Sequence, residues 1–92
     1  MEKAFVLINC SSEKVNKVLR KVKKIENVKE AYSIVGTYDI ITFVEAVNMS
    51  TLEDVLIGKI REIDEVMGTS TAIASHTNID TYLDFASSMS RT

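Results

Sequence analysis

A chain of 92 residues, 46% hydrophobic and 26% charged, has the size and composition of one globular domain with a single core. Its net charge of −2 argues against a nucleic-acid partner, which calls for clustered positive charge, and its longest apolar run, five residues from Ala4 to Ile8, is too short for a membrane span or a signal-peptide core. The single cysteine, Cys10, excludes an internal disulfide and fits a reducing cytoplasm, the expected location.

The run Ala4-Phe5-Val6-Leu7-Ile8, closed by Asn9 and the Ser11-Ser12 pair, predicts a buried strand. Ser11 or Ser12 is placed to cap a following helix, with Glu13 favourable in its first turn. In that helix Val15, Val18, Leu19, Val22 and Ile25 recur on one face, and Lys14, Lys17, Lys21 and Lys24 line the other. Glu26-Asn27 predicts a turn and Val28 to Val35 a second strand. Gly36-Thr37 breaks it, and Tyr38 to Val47, holding Ile40-Ile41-Thr42-Phe43-Val44, predicts a third strand joined to the second as an antiparallel hairpin. Ser50-Thr51-Leu52-Glu53 matches a capping box. A second amphipathic helix follows through Leu52, Val55, Leu56, Ile60 and Ile63, with Gly58 inside it at a cost of about 1 kcal/mol relative to Ala. A final strand is expected from Val66 to Thr77.

Val22-Lys-Lys-Ile25-Glu-Asn-Val28 lines up with Ile60-Arg-Glu-Ile63-Asp-Glu-Val66, and the same offset pairs Val18 with Leu56 and Leu19 with Ile57. Each copy is a helix end, an acidic turn and a strand start. Two βαβ halves make the ferredoxin-like α+β fold, βαββαβ, with a four-stranded antiparallel sheet and two helices on one face. Both alternating sets of the third strand are largely apolar: Ile40, Thr42, Val44 and Ala46 against Ile41, Phe43, Glu45 and Val47. A half-solvated sheet alternates apolar with polar. The second face therefore predicts a cover, either a second copy, in a dimeric α/β-barrel-like assembly, or the tail after Asn78. The core is expected to span residues 1–77. Residues 78–92 form a Ser- and Thr-rich tail in which Tyr82, Phe85, Ala86 and Met89 fall at helical spacing.

The hairpin pattern Val28-x-Glu30-x-Tyr32-x-Ile34-x-Gly36-x-Tyr38-Asp39, followed by a β-branched strand, resembles the Lrp/AsnC effector domain. Ile63, Val66, Gly68 and Thr71 resemble the same family's approach to its last strand. The resemblance covers roughly residues 4 to 77. It implies homodimers through the sheets, often an octameric ring of four dimers, and an amino acid or similar small molecule bound between dimers near the hairpin turn and the last strand. Full-length family members carry an N-terminal helix-turn-helix. Here the first strand starts at Lys3, so the expectation is the stand-alone form, without direct nucleic-acid binding, pairing with a full-length regulator of the family.

Gly36, Thr37, Tyr38 and Asp39 are the first candidate ligand residues. A turn offers N–H groups to a carboxylate, and the Asp39 carboxylate suits an ammonium. A purely structural role is the alternative, with Gly36 supplying positive φ and Asp39 bonding the local backbone. Thr69, Ser70 and Thr71 offer hydroxyls beside Gly68 as a second wall, or simply suit a strand. His76 stands alone, without the three or four ligands of a zinc site, and Cys10 fits a small buried apolar role better than a nucleophile. No metal, cofactor or catalytic residue is expected. The competing functions are a small enzyme of the dimeric α/β-barrel type, for which a single histidine offers little acid–base chemistry, and a structural adaptor that responds to no ligand.

Overall fold

The apolar run of residues 4–8 is the middle of strand β1, Glu2–Asn9, and all five of its side chains are buried. The structure, a computed structural model, describes residues 1–74. The end of the expected last strand, His76 and the tail with Tyr82, Phe85, Ala86 and Met89 lie outside the described residues. A 3-10 turn, Ser12–Lys14, leads from β1 into helix α1, Val15–Lys23. Strands β2, Val28–Ser33, and β3, Ile40–Ala46, follow, then helix α2, Met49–Val55, a π-helical turn, Leu56–Ile60, and strand β4, Gly68–Ala74.

All pairings are antiparallel, in the order β2-β3-β1-β4. β1 and β2 therefore run parallel with β3 between them, and β3 and β4 run parallel with β1 between them. This is the split βαβ arrangement that the internal repeat predicts. The repeat is physical: Ile25 N–H donates to Val22 O at 3.0 Å and Val28 N–H to Ile25 O at 3.0 Å. In the second half Ile63 N–H donates to Ile60 O at 3.2 Å and Val66 N–H to Ile63 O at 3.0 Å.

One cluster joins Val18 and Val22 of α1, Leu52 and Val55 of α2, and Leu56 and Ile60 of the π turn to the sheet face of Ala4, Val6, Ile8, Ala31, Ile40, Val44 and Ala46. Both helices thus cover the same face. Thr42 is buried there too, its hydroxyl donating to Val6 O at 3.1 Å, so burial leaves no orphaned donor. The opposite face carries Phe5 and Leu7, both buried, and Ile41 and Phe43, both half-buried, with the Phe5 and Phe43 rings 5.4 Å apart. Lys3 and Glu45, paired across the strands, form an ion pair of 3.4 Å at the rim of that face.

Local signals differ from expectation in three places. α2 is capped by Asn48, not by the Ser50–Glu53 box. Asn48 has extended backbone, and its Oδ1 accepts from Thr51 N–H at 2.8 Å, which places Ser50 already inside the first turn. Neither Ser11 nor Ser12 caps α1 with a side chain; Ser11 contributes only its carbonyl, which accepts from Lys14 N–H at 2.9 Å. The hairpin connection spans residues 34–39 rather than Gly36-Thr37 alone, with Gly36 at φ 153°, a conformation that favours glycine.

The lysine row does not face water alone. Lys17 and Lys21 reach Glu65, in the turn before β4, at 3.0 and 2.8 Å. The two ammonium groups hold the Glu65 carboxyl down from 4.5 to about 2, the Lys21 hydrogen bond contributing most. A folded-state value below the unfolded one gives stability that is complete above pH 4.5 and lost as pH falls towards 2. Glu65→Gln is therefore expected to melt below the parent at neutral pH, with the gap narrowing as the pH is lowered through this range. Thermal melts along a pH series check the trend, and a gap that widens in acid contradicts it.

Candidate functional site

Three chain segments converge where β1 leaves the sheet. On one side the hairpin loop ends at Asp39, whose N–H donates to Ile8 O at 2.9 Å. The Asp39 carboxylate accepts the Cys10 N–H at 2.9 Å, a part-buried contact spanning 29 residues. On the other side Met67 N–H donates to Asn9 O at 2.8 Å, and Gly68 and Thr69 pair with Asn9 and Ile8. The two groups of candidate residues thus sit at the same end of the sheet, flanking β1 and about 10 Å apart, two strand spacings. Among the described residues, a groove beside β4 takes in Thr69 and Thr71 and none of Gly36, Thr37, Tyr38 and Asp39.

Gly36 and Thr37 are exposed at the tip of the loop, whereas Tyr38 and Asp39 are half-buried. Asp39 has a structural role whether or not it also meets a ligand, because it ties the hairpin to the end of β1. Burial, and after it the Asp39 charge, pushes the Cys10 thiol above its ordinary value, the reverse of what a nucleophile needs. Asp39→Ala leaves the Cys10 N–H without its charged acceptor and is expected to destabilise the fold by about 1–3 kcal/mol. Urea unfolding measures the loss, and an unchanged midpoint would show that the bond contributes nothing.

The second candidate group divides. Thr69 and Thr71 share one face of β4 with Ile73, while Ser70 points to the other face, opposite Leu7. Because β4 is an edge strand and α2 packs over β1 and β3, the helix-side face of β4 is left open among the described residues. The result is a groove of about 650 Å³, within the range of small-molecule sites. Leu56, Ile57 and Arg61 form its helix side, Val66, Met67 and Gly68 its mouth, and Thr69, Thr71 and Ile73 its strand side. Ile57, Met67 and Ile73 are 58%, 76% and 47% exposed.

Arg61, Ile57 and Met67 were not among the residues expected at a site. A signal was present for two of them. Ile57 falls outside the core-facing series of its helix, and Met67 is an apolar residue in a polar turn. Among the described residues no group of His, Cys, Asp and Glu is placed to hold a metal ion. No helix among them is long and apolar enough to cross a membrane.

Residues 3–83 match the family model of the Lrp/AsnC ligand binding domain. The regulatory protein AsnC of Haemophilus influenzae is 36% identical over 64 residues, 70% of this chain and 43% of that protein, so the chain spans less than half of this relative's length. The crystal structure of FFRP-DM1 superposes with a TM-score of 0.78 at 38% identity, over 80% of this chain and 99% of that one. A hypothetical protein of Pyrococcus horikoshii, PHS023, gives 0.78 at 36% identity, over 85% of this chain and 94% of that one. With the βαββαβ architecture and the hairpin residues in place, these matches make the chain a member of the Lrp/AsnC ligand-binding domain family, whose domains bind small effectors and oligomerise.

Proposed function

We propose that the chain is an effector-sensing module that binds an amino acid or a similarly small metabolite and works as a homodimer or a larger assembly of dimers, such as an octamer. The observation that carries this is the family match over residues 3–83, which takes in both candidate walls. The site is formed by Gly36, Thr37, Tyr38 and Asp39 of one copy facing Thr69 and Thr71 of another; Ser70, on the opposite face of β4 beside Leu7, is turned away from it. The geometry favours two copies, because the two walls are separated by β1 within one chain. The half-exposed Ile41 and Phe43 supply an apolar sheet face for pairing. The core, 1–77, carries the effector site.

The module acts without catalysis and in the cytoplasm, and it joins a full-length regulator of the same family through the shared sheet surface. α1 and α2 are both committed to covering the sheet, so neither is free to serve as a recognition helix in DNA. Native mass spectrometry with and without a mixture of the twenty amino acids tests the proposal. The expected spectrum shows even-numbered oligomers that gain the mass of an amino acid per subunit. A monomer that gains none contradicts it.

A further inference from the structure

The two helices differ in charge. α1 holds Lys17, Arg20, Lys21 and Lys23 and no acidic residue, and Lys24 follows it. α2 holds Glu53 and Asp54 and no basic residue. Glu65 takes up Lys17 and Lys21 on one flank of α1. Arg20, Lys23 and Lys24 on the solvent side of α1, and Glu53 and Asp54 on that of α2, are exposed and enter no ion pair among the described residues. Ile57, exposed one turn beyond Glu53, adds an apolar spot to the acidic side. Glu13 and Glu26 lie just beyond the basic stripe, and Lys59 and Arg61 just beyond the acidic one, so each helix keeps its own sign. α1 packs on β2 and β3 and α2 on β3 and β1, which sets the helices side by side with their solvent sides in one outer layer.

We infer that this outer layer is a second interface between copies of the chain, in which the basic side of α1 meets the acidic side of α2 of a facing copy. A two-fold axis running along the helices, midway between them, lays each α1 on the other copy's α2, so one rotation makes the complementary contact twice. An axis across the helices would lay α1 on α1 and α2 on α2, like charge on like. Complementary charge thus selects one arrangement of the two copies. The long aliphatic stems of Arg20 and Lys24 suit Ile57, and their heads suit Glu53 and Asp54. Exposed ion pairs contribute little one by one, so the contact is weak and sensitive to salt. The occupant is a second copy rather than a polyanion, because the chain carries the complement of its own basic stripe and has a net charge of −2. Together with pairing through the sheets, this interface joins dimers into a larger assembly.

Sedimentation velocity of the full chain tests this, with two charge-reversed variants at exposed positions, Arg20→Glu/Lys24→Glu and Glu53→Lys/Asp54→Lys. The parent is expected to sediment as an assembly larger than a dimer in about 0.05 M salt and as the dimer in about 0.5 M, where charges are screened over a few ångströms. Each variant alone sets like charge on like and is expected to stay a dimer at both salts, with parental circular dichroism. An equimolar mixture of the two is expected to regain the larger assembly, because the acidic α1 and α2 of one meet the basic α2 and α1 of the other. A parent of the same mass at both salts overturns the interface. So does a mixture of folded variants that stays a dimer. A random-sequence DNA duplex added at low salt is expected to leave the parent's sedimentation unchanged. Duplex bound by the parent and lost in Arg20→Glu/Lys24→Glu, without rescue in the mixture, would assign the basic stripe to polyanions and overturn the interface. Each of these results leaves the sensing proposal standing, since that rests on other residues.

Discussion

Leu52→Ala is expected to lower the stability of the fold by about 2–5 kcal/mol, the range for emptying a buried leucine site. Leu52 is 0% exposed and sits in the cluster joining both helices to the sheet. α2 is only seven residues long, too short to hold helical structure by itself. Its position depends on the Asn48 cap and on two anchors, Leu52 and Val55. A domain of this size has about 5–15 kcal/mol in all, so the loss takes a large share of it. The groove should loosen as well, since Leu56, Ile57 and Arg61 follow directly from α2. Guanidinium denaturation measures the effect. Ile57→Ala, at an exposed position of the same segment, is the control and is expected to change stability by no more than about 0.5 kcal/mol. Equal effects at the two positions would contradict the assigned core.

Phe43→Asp is expected to dissociate the assembly and to leave much of the protein aggregated or unfolded. Phe43 lies on the sheet face that no helix of the described residues covers, opposite Phe5 on β1 and Glu30 on β2. The substitution removes the aromatic partner of Phe5, whose ring is 5.4 Å away, and sets a carboxylate opposite Glu30, where like charges repel. In an interface it also buries an unpaired charge, which is strongly unfavourable. Phe43→Leu keeps the apolar surface and is expected to keep the parental mass. Light scattering measures the masses, and circular dichroism separates loss of assembly from loss of fold. A Phe43→Asp protein of parental mass would remove this face from the interface.

The fold was legible where one residue type repeats at a fixed spacing. Val18 and Val22 in α1, and Leu52, Val55 and Ile60 in the second helical segment, are buried as their periodicity requires. The offset between Val22–Val28 and Ile60–Val66 returns as the same pair of backbone bonds in each half. Competing short-range signals were less legible. Asn48 and Ser50 are both good caps, and what distinguishes them is backbone conformation, extended at Asn48. The π turn carries no periodic mark beyond Gly58, an exposed position.

Long-range pairings left no trace in the sequence at all. The bond from Lys21 to Glu65 spans 44 residues, and the Asp39 carboxylate reaches Cys10 across 29. The candidate site was half legible for the same reason. Turn chemistry pointed to Gly36–Asp39, and hydroxyls beside a glycine pointed to Thr69–Thr71. The groove exists only because β4 lies at the edge of the sheet beyond the reach of α2. That placement brings Arg61, Ile57 and Met67 beside Thr69 and Thr71, and it turns Ser70 away from them.

The most direct test of effector sensing is a thermal melt of the full chain in the presence of each of the twenty amino acids. A ligand that binds only the folded state adds about 2.7 kcal/mol at a hundredfold excess over its dissociation constant. For a chain of this length that raises the melting temperature by about 14 °C. The prediction is a rise of this order with one or more of the twenty amino acids. Melting temperatures that stay unchanged with all twenty amino acids would contradict it.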